Sequence, residues 1–272
     1  MTLSRRDVSE LLTAHGLRPS RALGQNFVAD PNTVRRIARL ASVAEGDRVI
    51  EIGAGLGSLT LALVETGASV MAVELDRYLV PVLRSVVEPA GVTVIEGDAL
   101  TLDWPTVLGG DGGWVLVANL PYNVATPLVL DLLDGVPQID RMLVMVQREV
   151  GERLAAGVGD EAYGAVSVKV GYWATARVVG KVPPTVFVPQ PRVDSALVSI
   201  VRRPSGPAVD VDRERLFELV RTGFAQRRKM LRRALAGVVD ESAFSCAGVR
   251  PEARAEELDV EAWGRLAACA PS

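Results

Sequence analysis

The sequence predicts an α/β fold: a Rossmann-like parallel sheet with helices on both faces, followed by a small all-helical C-terminal domain. Three observations predict it. Short, β-branched apolar runs recur between residues 48 and 146, with helix-period segments between them. A link rich in proline and glycine, Arg202-Arg203-Pro204-Ser205-Gly206-Pro207, then interrupts the pattern. Beyond it, residues 212–269 are helical in pattern and hold no strand-like run. The expected domains are therefore 1–203 and 208–272.

The elements follow in order. A basic arm carries Arg5, Arg6, Arg18 and Arg21, with a short amphipathic segment from Ser9 to His15. Asp30-Pro31 supplies an N-cap and a first-turn proline for a helix reaching about Ala41. Strands are expected near 48–52, 69–74, 92–96, 114–118 and 140–146, and helices near 58–66, 76–88, 126–134 and 148–156. Strands this uniformly apolar are buried on both faces, as in a parallel sheet covered by crossover helices. A helix pattern around 163–173 precedes two further strands, 176–182 and 196–201, which flank a proline-rich turn from Val182 to Arg192.

Composition narrows the chemistry. The 272 residues suffice for one large core and a smaller one. Lys and Arg number 30 against 33 Asp and Glu, so any nucleic-acid surface must come from local clustering. A single histidine, His15, and two cysteines, Cys246 and Cys269, offer no metal-ligand spacing, no disulfide scaffold and no Ser-His hydrolase. The cysteines are expected to be small helix-packing residues, and His15 a surface residue. The first ten residues lack the apolar core of a signal peptide, and no stretch approaches the ~20 apolar residues of a membrane span, so a cytoplasmic protein is expected.

The first strand, Arg48 to Ile52, runs into Gly53-Ala54-Gly55-Leu56-Gly57-Ser58. A dinucleotide loop, Gly-x-Gly-x-x-Gly, would put its third glycine at position 58; here it falls at Gly57. Glu51, just ahead, suits a cofactor with an amino group and a cationic sulfur better than a pyrophosphate. The second strand ends at Glu74, near the offset where an acid binds ribose hydroxyls. The third ends at Gly97-Asp98-Ala99, where an acid accepts from an adenine amine. Each feature alone also reads as a turn glycine or a capping carboxylate. In order along successive strands, they point to S-adenosylmethionine. The fourth strand, Trp114 to Ala118, closes on Asn119-Leu120-Pro121-Tyr122. An amide acceptor, a rigid turn and a phenol ring at the carboxyl end of a parallel sheet suit alkylation of a nucleobase amine.

These motifs resemble the ribosomal RNA adenine dimethyltransferases of the KsgA type. Leu23-Gly24-Gln25-Asn26-Phe27 resembles the family's amino-terminal cofactor motif, Glu51 to Gly57 its glycine loop, and Asn119 to Asn123 its catalytic motif. Phe187 to Ala196 resembles the late proline-rich signature, and Arg227-Arg228-Lys229-Met230-Leu231 the basic helix of its small domain. The resemblance implies a class I methyltransferase sheet. It places Asn26, Val28, Gly53, Gly55, Glu74, Asp98, Ala99 and Asn119 at the cofactor. It assigns Asn119, Leu120, Pro121, Tyr122 and Phe187 to catalysis. The Asn119 oxygen and the Leu120 carbonyl accept from the adenine amine, Tyr122 stacks on the base, and Phe187 closes its other face. This chain has Val28 where the family often has Leu, and the acidic Gly159-Asp160-Glu161-Ala162 where a lysine often precedes the Tyr-Gly pair.

From Arg221 to Arg233 the chain holds Arg221, Arg227, Arg228, Lys229, Arg232 and Arg233 with no acid among them. A run of one sign in a slightly acidic protein is expected to contact RNA phosphates, extended by the amino-terminal arginines. The leading expectation is a monomeric, metal-free enzyme dimethylating small-subunit rRNA in a 30S assembly particle. The alternatives are a large-subunit resistance methylase, a non-catalytic assembly factor and a nicotinamide-dependent dehydrogenase.

Overall fold

A computed structural model describes residues 2–121 and 124–270. They form two compact units: Met1–Gly151 with Arg177–Val201, and Glu152–Ala176 with Arg202–Ser272. The chain thus passes between units at 151, 176 and 201, where the sequence suggested one boundary near 203–208. The reason lies in packing. Tyr163, Val168 and Tyr172 share a buried cluster with Leu216, Phe217 and Trp263, so a segment lying between strands in sequence belongs to the helical core.

In chain order the elements of the first unit begin with α1 (Arg5–Ala14), β1 (Phe27–Val28), α2 (Pro31–Leu40), β2 (Arg48–Ile52), α3 (Ser58–Val64) and β3 (Ser69–Glu74). Next come α4 (Val80–Val87), β4 (Thr93–Glu96), α5 (Trp104–Leu108), β5 (Trp114–Asn119), α6 (Ala125–Gly135) and β6 (Ile139–Gln147). After α7 (Arg148–Ala155) and α8 (Ala165–Trp173) come β7 (Ala174–Val182), β8 (Phe187–Val188) and β9 (Ser195–Arg202). The helices α9 (Arg213–Ala225), α10 (Leu231–Ala234), α11 (Glu241–Ala247) and α12 (Val260–Cys269) complete the chain.

Seven strands form one sheet in the order β4-β3-β2-β5-β6-β9-β7. The first five are parallel, and β9 runs antiparallel to β6, so the sheet is mixed rather than wholly parallel. Val115 and Val117 of β5 lie in one buried cluster, while Leu116 and Ala118, on the opposite face, are equally buried. Alternate residues of a strand point to opposite faces, so both faces are covered. The strand order reverses between β2 and β5, which makes their carboxyl ends the topological switch point.

Local chemistry sets the element ends. The Asp30 carboxylate caps α2 by accepting from the Thr33 N–H at 2.8 Å. Helix α4 starts at Val80 rather than 76, because Asp76 caps a turn by accepting from the Tyr78 N–H at 2.9 Å. Three elements were not foreseen: α5, and the two-residue strands β1 and β8. The last two pair antiparallel in a separate ribbon, with Phe27 opposite Val188 and Val28 opposite Phe187.

The second unit is built around Trp263, which is fully buried. A Cβ at Gly223 of α9 would lie 2.6 Å from the Trp263 ring, so the glycine lets that helix backbone rest on the indole. Cys246 and Cys269 are disulfide-bonded, with their Cα atoms 6.0 Å apart. This corrects the reading of both as separate packing residues. Docking of α11 against α12 brings positions 23 apart in sequence together at the carboxyl ends of both helices, and the Arg265 Nε donates to the Ala247 carbonyl at 3.1 Å beside them. Among the described residues no helix is long and apolar enough to cross a membrane.

Candidate active site

The carboxyl ends of β2, β3, β4 and β5 open into one pocket in the first unit. Its lining includes Asn26, Val28, Gly53, Gly55, Glu74, Asp98, Ala99, Asn119, Leu120, Pro121 and Phe187. Every described residue assigned from the sequence to cofactor or catalysis is therefore in one place. Tyr122 lies outside the described residues.

The glycine loop has the backbone its composition requires. Gly55 has φ +59°, and a Cβ there would sit 2.9 Å from the Phe27 ring. Glycine is thus needed both for the left-handed turn and for the approach of Phe27. The Gly55 N–H donates to the Glu74 carboxylate at 2.7 Å, and the Asp76 N–H donates to its other oxygen at 2.9 Å. Glu74 is buried, and burial raises its pKa despite these donors. Each oxygen keeps a further lone pair for a ligand hydroxyl.

Glu51 is also fully buried, and burial, with the neighbouring Glu74 charge, pushes its carboxyl up to about 8. Its Oε2 and the Ser58 Oγ are buried without a hydrogen-bond partner, and both residues line the pocket. Buried polar atoms are almost always satisfied, so this orphaned pair marks a place for a polar ligand. Asp98 accepts from the Leu100 N–H at 3.0 Å through Oδ1, which leaves Oδ2 for another donor. The Trp104 indole N–H holds the Ala99 carbonyl at 3.1 Å.

At the end of β5, the Asn119 Nδ2 donates to the Asn26 carbonyl at 3.0 Å. A carbonyl can only accept, so this contact fixes the amide orientation and leaves Oδ1 as the free acceptor. The Leu120 N–H is tied to the Met145 carbonyl at 3.0 Å. The Pro121 carbonyl receives the Val124 and Ala125 N–H groups at 3.2 and 3.1 Å, turning the chain into α6. Phe187 is buried as well as pocket-lining, held by the pairing of β8 with β1.

One segment, residues 25–28, touches all of these parts. Gln25 donates to Asp76 at 2.7 Å, Asn26 orients Asn119, Phe27 covers Gly55, and Val28 pairs with Phe187. Sequence reasoning singled out this motif without seeing that it is a brace across the pocket. It also missed Leu75 and Leu100, which line the pocket yet are 49% and 44% exposed. The signal was present: an apolar residue follows each strand-end acid segment, in Glu74-Leu75 and Asp98-Ala99-Leu100.

The basic set of the second unit is less uniform than its sequence. Arg227 pairs with Glu256 at 2.5 Å and donates to the Glu161 carbonyl at 2.9 Å, and Arg232 pairs with Glu252 at 3.2 Å. Arg221 lines a cleft with Asp210, Asp212, Glu214 and Glu218. Arg228, Lys229 and Arg233 are exposed. In the amino-terminal arm, Arg5 donates to two carbonyls and Arg6 to Glu10, whereas Arg18 and Arg21 are exposed. Among the described residues no group of three His, Cys, Asp or Glu is placed to hold a metal ion.

A family model described as ribosomal RNA adenine dimethylase matches residues 17–270. A ribosomal RNA small subunit methyltransferase A of Kineococcus radiotolerans is 48% identical over 279 residues, covering 99% of this chain and 92% of that one. Among solved structures, a dimethyladenosine transferase from Plasmodium falciparum superposes with TM-score 0.73 at 25% identity, covering 87% of this chain and 94% of that one. The 23S rRNA methyltransferase ErmE superposes with TM-score 0.71 at 26% identity, covering 90% and 99%. With its sheet order, its pocket and its full-length relatives in agreement, the chain belongs to the ribosomal RNA adenine dimethylase family.

Proposed function

We propose that this chain transfers methyl groups from S-adenosylmethionine to the 6-amino groups of two adjacent adenines near the 3′ end of small-subunit rRNA. It acts as a monomer on a 30S assembly particle in the cytoplasm. The observation that carries the reading is the Asn119 amide, oriented by the Asn26 carbonyl with its oxygen left free at the switch point.

The pocket fits the cofactor. Glu51 and Ser58 hold orphaned polar atoms for the ammonium end, and Glu74 has lone pairs for the ribose hydroxyls. Asp98 would receive the adenine amine through Oδ2, and Leu75 and Leu100, which line the pocket, would flank the ring. S-adenosylmethionine supplies a methyl group already activated by its sulfonium sulfur.

The protein's part is to make the acceptor nitrogen nucleophilic and to hold it in line. The lone pair of an adenine 6-amino group is delocalised into the ring. Asn119 Oδ1 and the Leu120 carbonyl accept its two N–H bonds and draw the nitrogen toward tetrahedral geometry. The lone pair would then form the N–C bond as the bond from the methyl carbon to sulfur breaks, its electron pair going to the sulfur, and a proton would leave to solvent once the nitrogen is cationic. Tyr122 and Phe187 hold the base. A base within a duplex is flipped out or presented in a loop. After one transfer one N–H remains, and a second round gives dimethyladenine.

Labelled methyl transfer to unmethylated 30S particles and, in parallel, to 50S particles tests the reading. Two adjacent dimethyladenines near the 3′ end of the small-subunit RNA are expected, mapped by reverse-transcription stops. Transfer to 50S alone would reassign the substrate to the large subunit. Transfer to neither, with tight cofactor binding, would leave a non-catalytic assembly factor.

A further inference from the structure

Phe187 stands on a strand of two residues whose described pairing is with β1. Ahead of this strand, Pro184–Val186 form a single 3-10 turn, and Phe187 is the first extended residue after it. The Val186 carbonyl turns toward β1 and accepts the Ala29 N–H at 2.8 Å. The Phe187 carbonyl turns the other way, where a further strand would supply an N–H group, and the Thr185 carbonyl of the turn faces the same side. Among the described residues no strand is paired there. Arg5 Nη2 donates to both instead, at 2.5 Å to Thr185 and 3.2 Å to Phe187. That nitrogen carries two hydrogens, one for each carbonyl.

Arg5 is itself held in place. It is the first residue of α1, whose opening turn is fixed by a capping box between Ser4 and Asp7. The Asp7 carboxylate accepts the Ser4 N–H and hydroxyl, each at 2.7 Å. Val8 and Leu12 bury the helix in a cluster with Phe27, Leu56 and Leu79, beside the glycine loop. Arg5 does not line the pocket. It is therefore tied at one end to the wall of the cofactor site and at the other to the backbone of Phe187.

We infer that Arg5 is a positioning residue for methyl transfer, standing in for a missing strand so that the Phe187 ring is held at the target base. The inference rests on the reading of Phe187 as a residue that closes on that base. Two of the five Arg5 donors are committed to these carbonyls.

The test is a double-mutant cycle on the full-length enzyme: Arg5→Gln, Phe187→Ala and the combination, with Arg5→Lys as the conservative variant. Single-turnover methylation of unmethylated small-subunit particles gives the rate. Calorimetry gives S-adenosylmethionine affinity, and thermal unfolding checks the fold. Arg5→Gln should slow the methyl-transfer step about tenfold, the scale of one charge-assisted hydrogen bond, with cofactor Kd within about twofold. Arg5→Lys, which keeps a donor, should recover part of the rate. In the Phe187→Ala background Arg5→Gln should add nothing, because there is no ring left to position. Equal fold-losses in both backgrounds, or a parallel loss of cofactor affinity, would overturn the assignment and make Arg5 an ordinary structural residue. If Phe187→Ala slows turnover and Arg5→Gln does not, the inference fails while the Phe187 reading stands. A Phe187→Ala enzyme of normal rate would defeat both.

Discussion

At the scale of single residues, two groups turn the site into measurable expectations. Asn119 must donate to one carbonyl and accept with its other atom. Asn119→Ala should keep S-adenosylmethionine affinity within about an order of magnitude while methylation is lost, and unchanged turnover would remove Asn119 from the mechanism. Asn119→Asp should be no better, although it is nearly isosteric: its carboxylate cannot donate to the Asn26 carbonyl and would face it lone pair to lone pair. Glu51 is the second group. Without ligand its carboxyl keeps its proton up to about pH 8, because of burial and then the Glu74 charge. A bound ammonium group favours the carboxylate, so cofactor binding releases that proton. Affinity should therefore rise with pH up to about 8 and then level off, and Glu51→Gln should flatten the rise. The linkage to folding has the opposite sign. The folded chain holds this proton more tightly than the unfolded one, whose carboxyl titrates near 4.5, so the Glu51 contribution to stability declines as pH rises from 4.5 to 8. Asn119 and Glu51 were legible in the sequence because each stands at or near a strand end. Which atom of the amide is free was not, since the answer lies in a carbonyl 93 residues away.

At the scale of elements, the brace of residues 25–28 and the glycine loop work as one part. Gly55→Ala should weaken cofactor binding by at least about tenfold, since it strains a positive φ and presses a methyl group on Phe27. Calorimetry on the variant would check it, and normal affinity would show that the loop can give way. The parallel strands were readable because each has four to nine residues built around an apolar run, long enough for the pattern to register. Strands β1 and β8 have two residues each, and α5 has five. Elements that short exist only through their tertiary partners and leave no periodic trace. The disulfide was hidden for a related reason, since its cysteines sit on two helices that meet only on docking.

At the scale of the whole molecule, the chain is nearly balanced in charge, so RNA affinity must rest on a few unneutralised cations. Arg227 and Arg232 already have carboxylate partners, whereas Arg228, Lys229 and Arg233 are exposed. Replacing the last three by Gln should flatten the dependence of particle binding on salt, by close to one slope unit for each phosphate no longer neutralised. Replacing Arg227 and Arg232 should change it less. Equal effects of the two sets would mean that the ion pairs open on RNA. The sequence revealed the charge run but not its division, because the neutralising acids, Glu252 and Glu256, lie well beyond it. Nor did it reveal that residues 152–176 share a core with the C-terminal helices, because composition marks only the break near 203–207.

The ribbon of β1 and β8 has a consequence for how the enzyme is made. It joins residues 27 and 188, at the two ends of a loop of about 160 residues. A chain emerging from the ribosome presents the brace early and then carries it, unpaired, through the synthesis of most of the sheet. The partner strand arrives only after about two thirds of the chain has been translated. Until then Val28 has no strand beside it and no Phe187 stands at the pocket wall. The growing polypeptide is thus unable to complete its cofactor chamber while the sheet is still being translated. Activity begins as a late event in the life of each molecule.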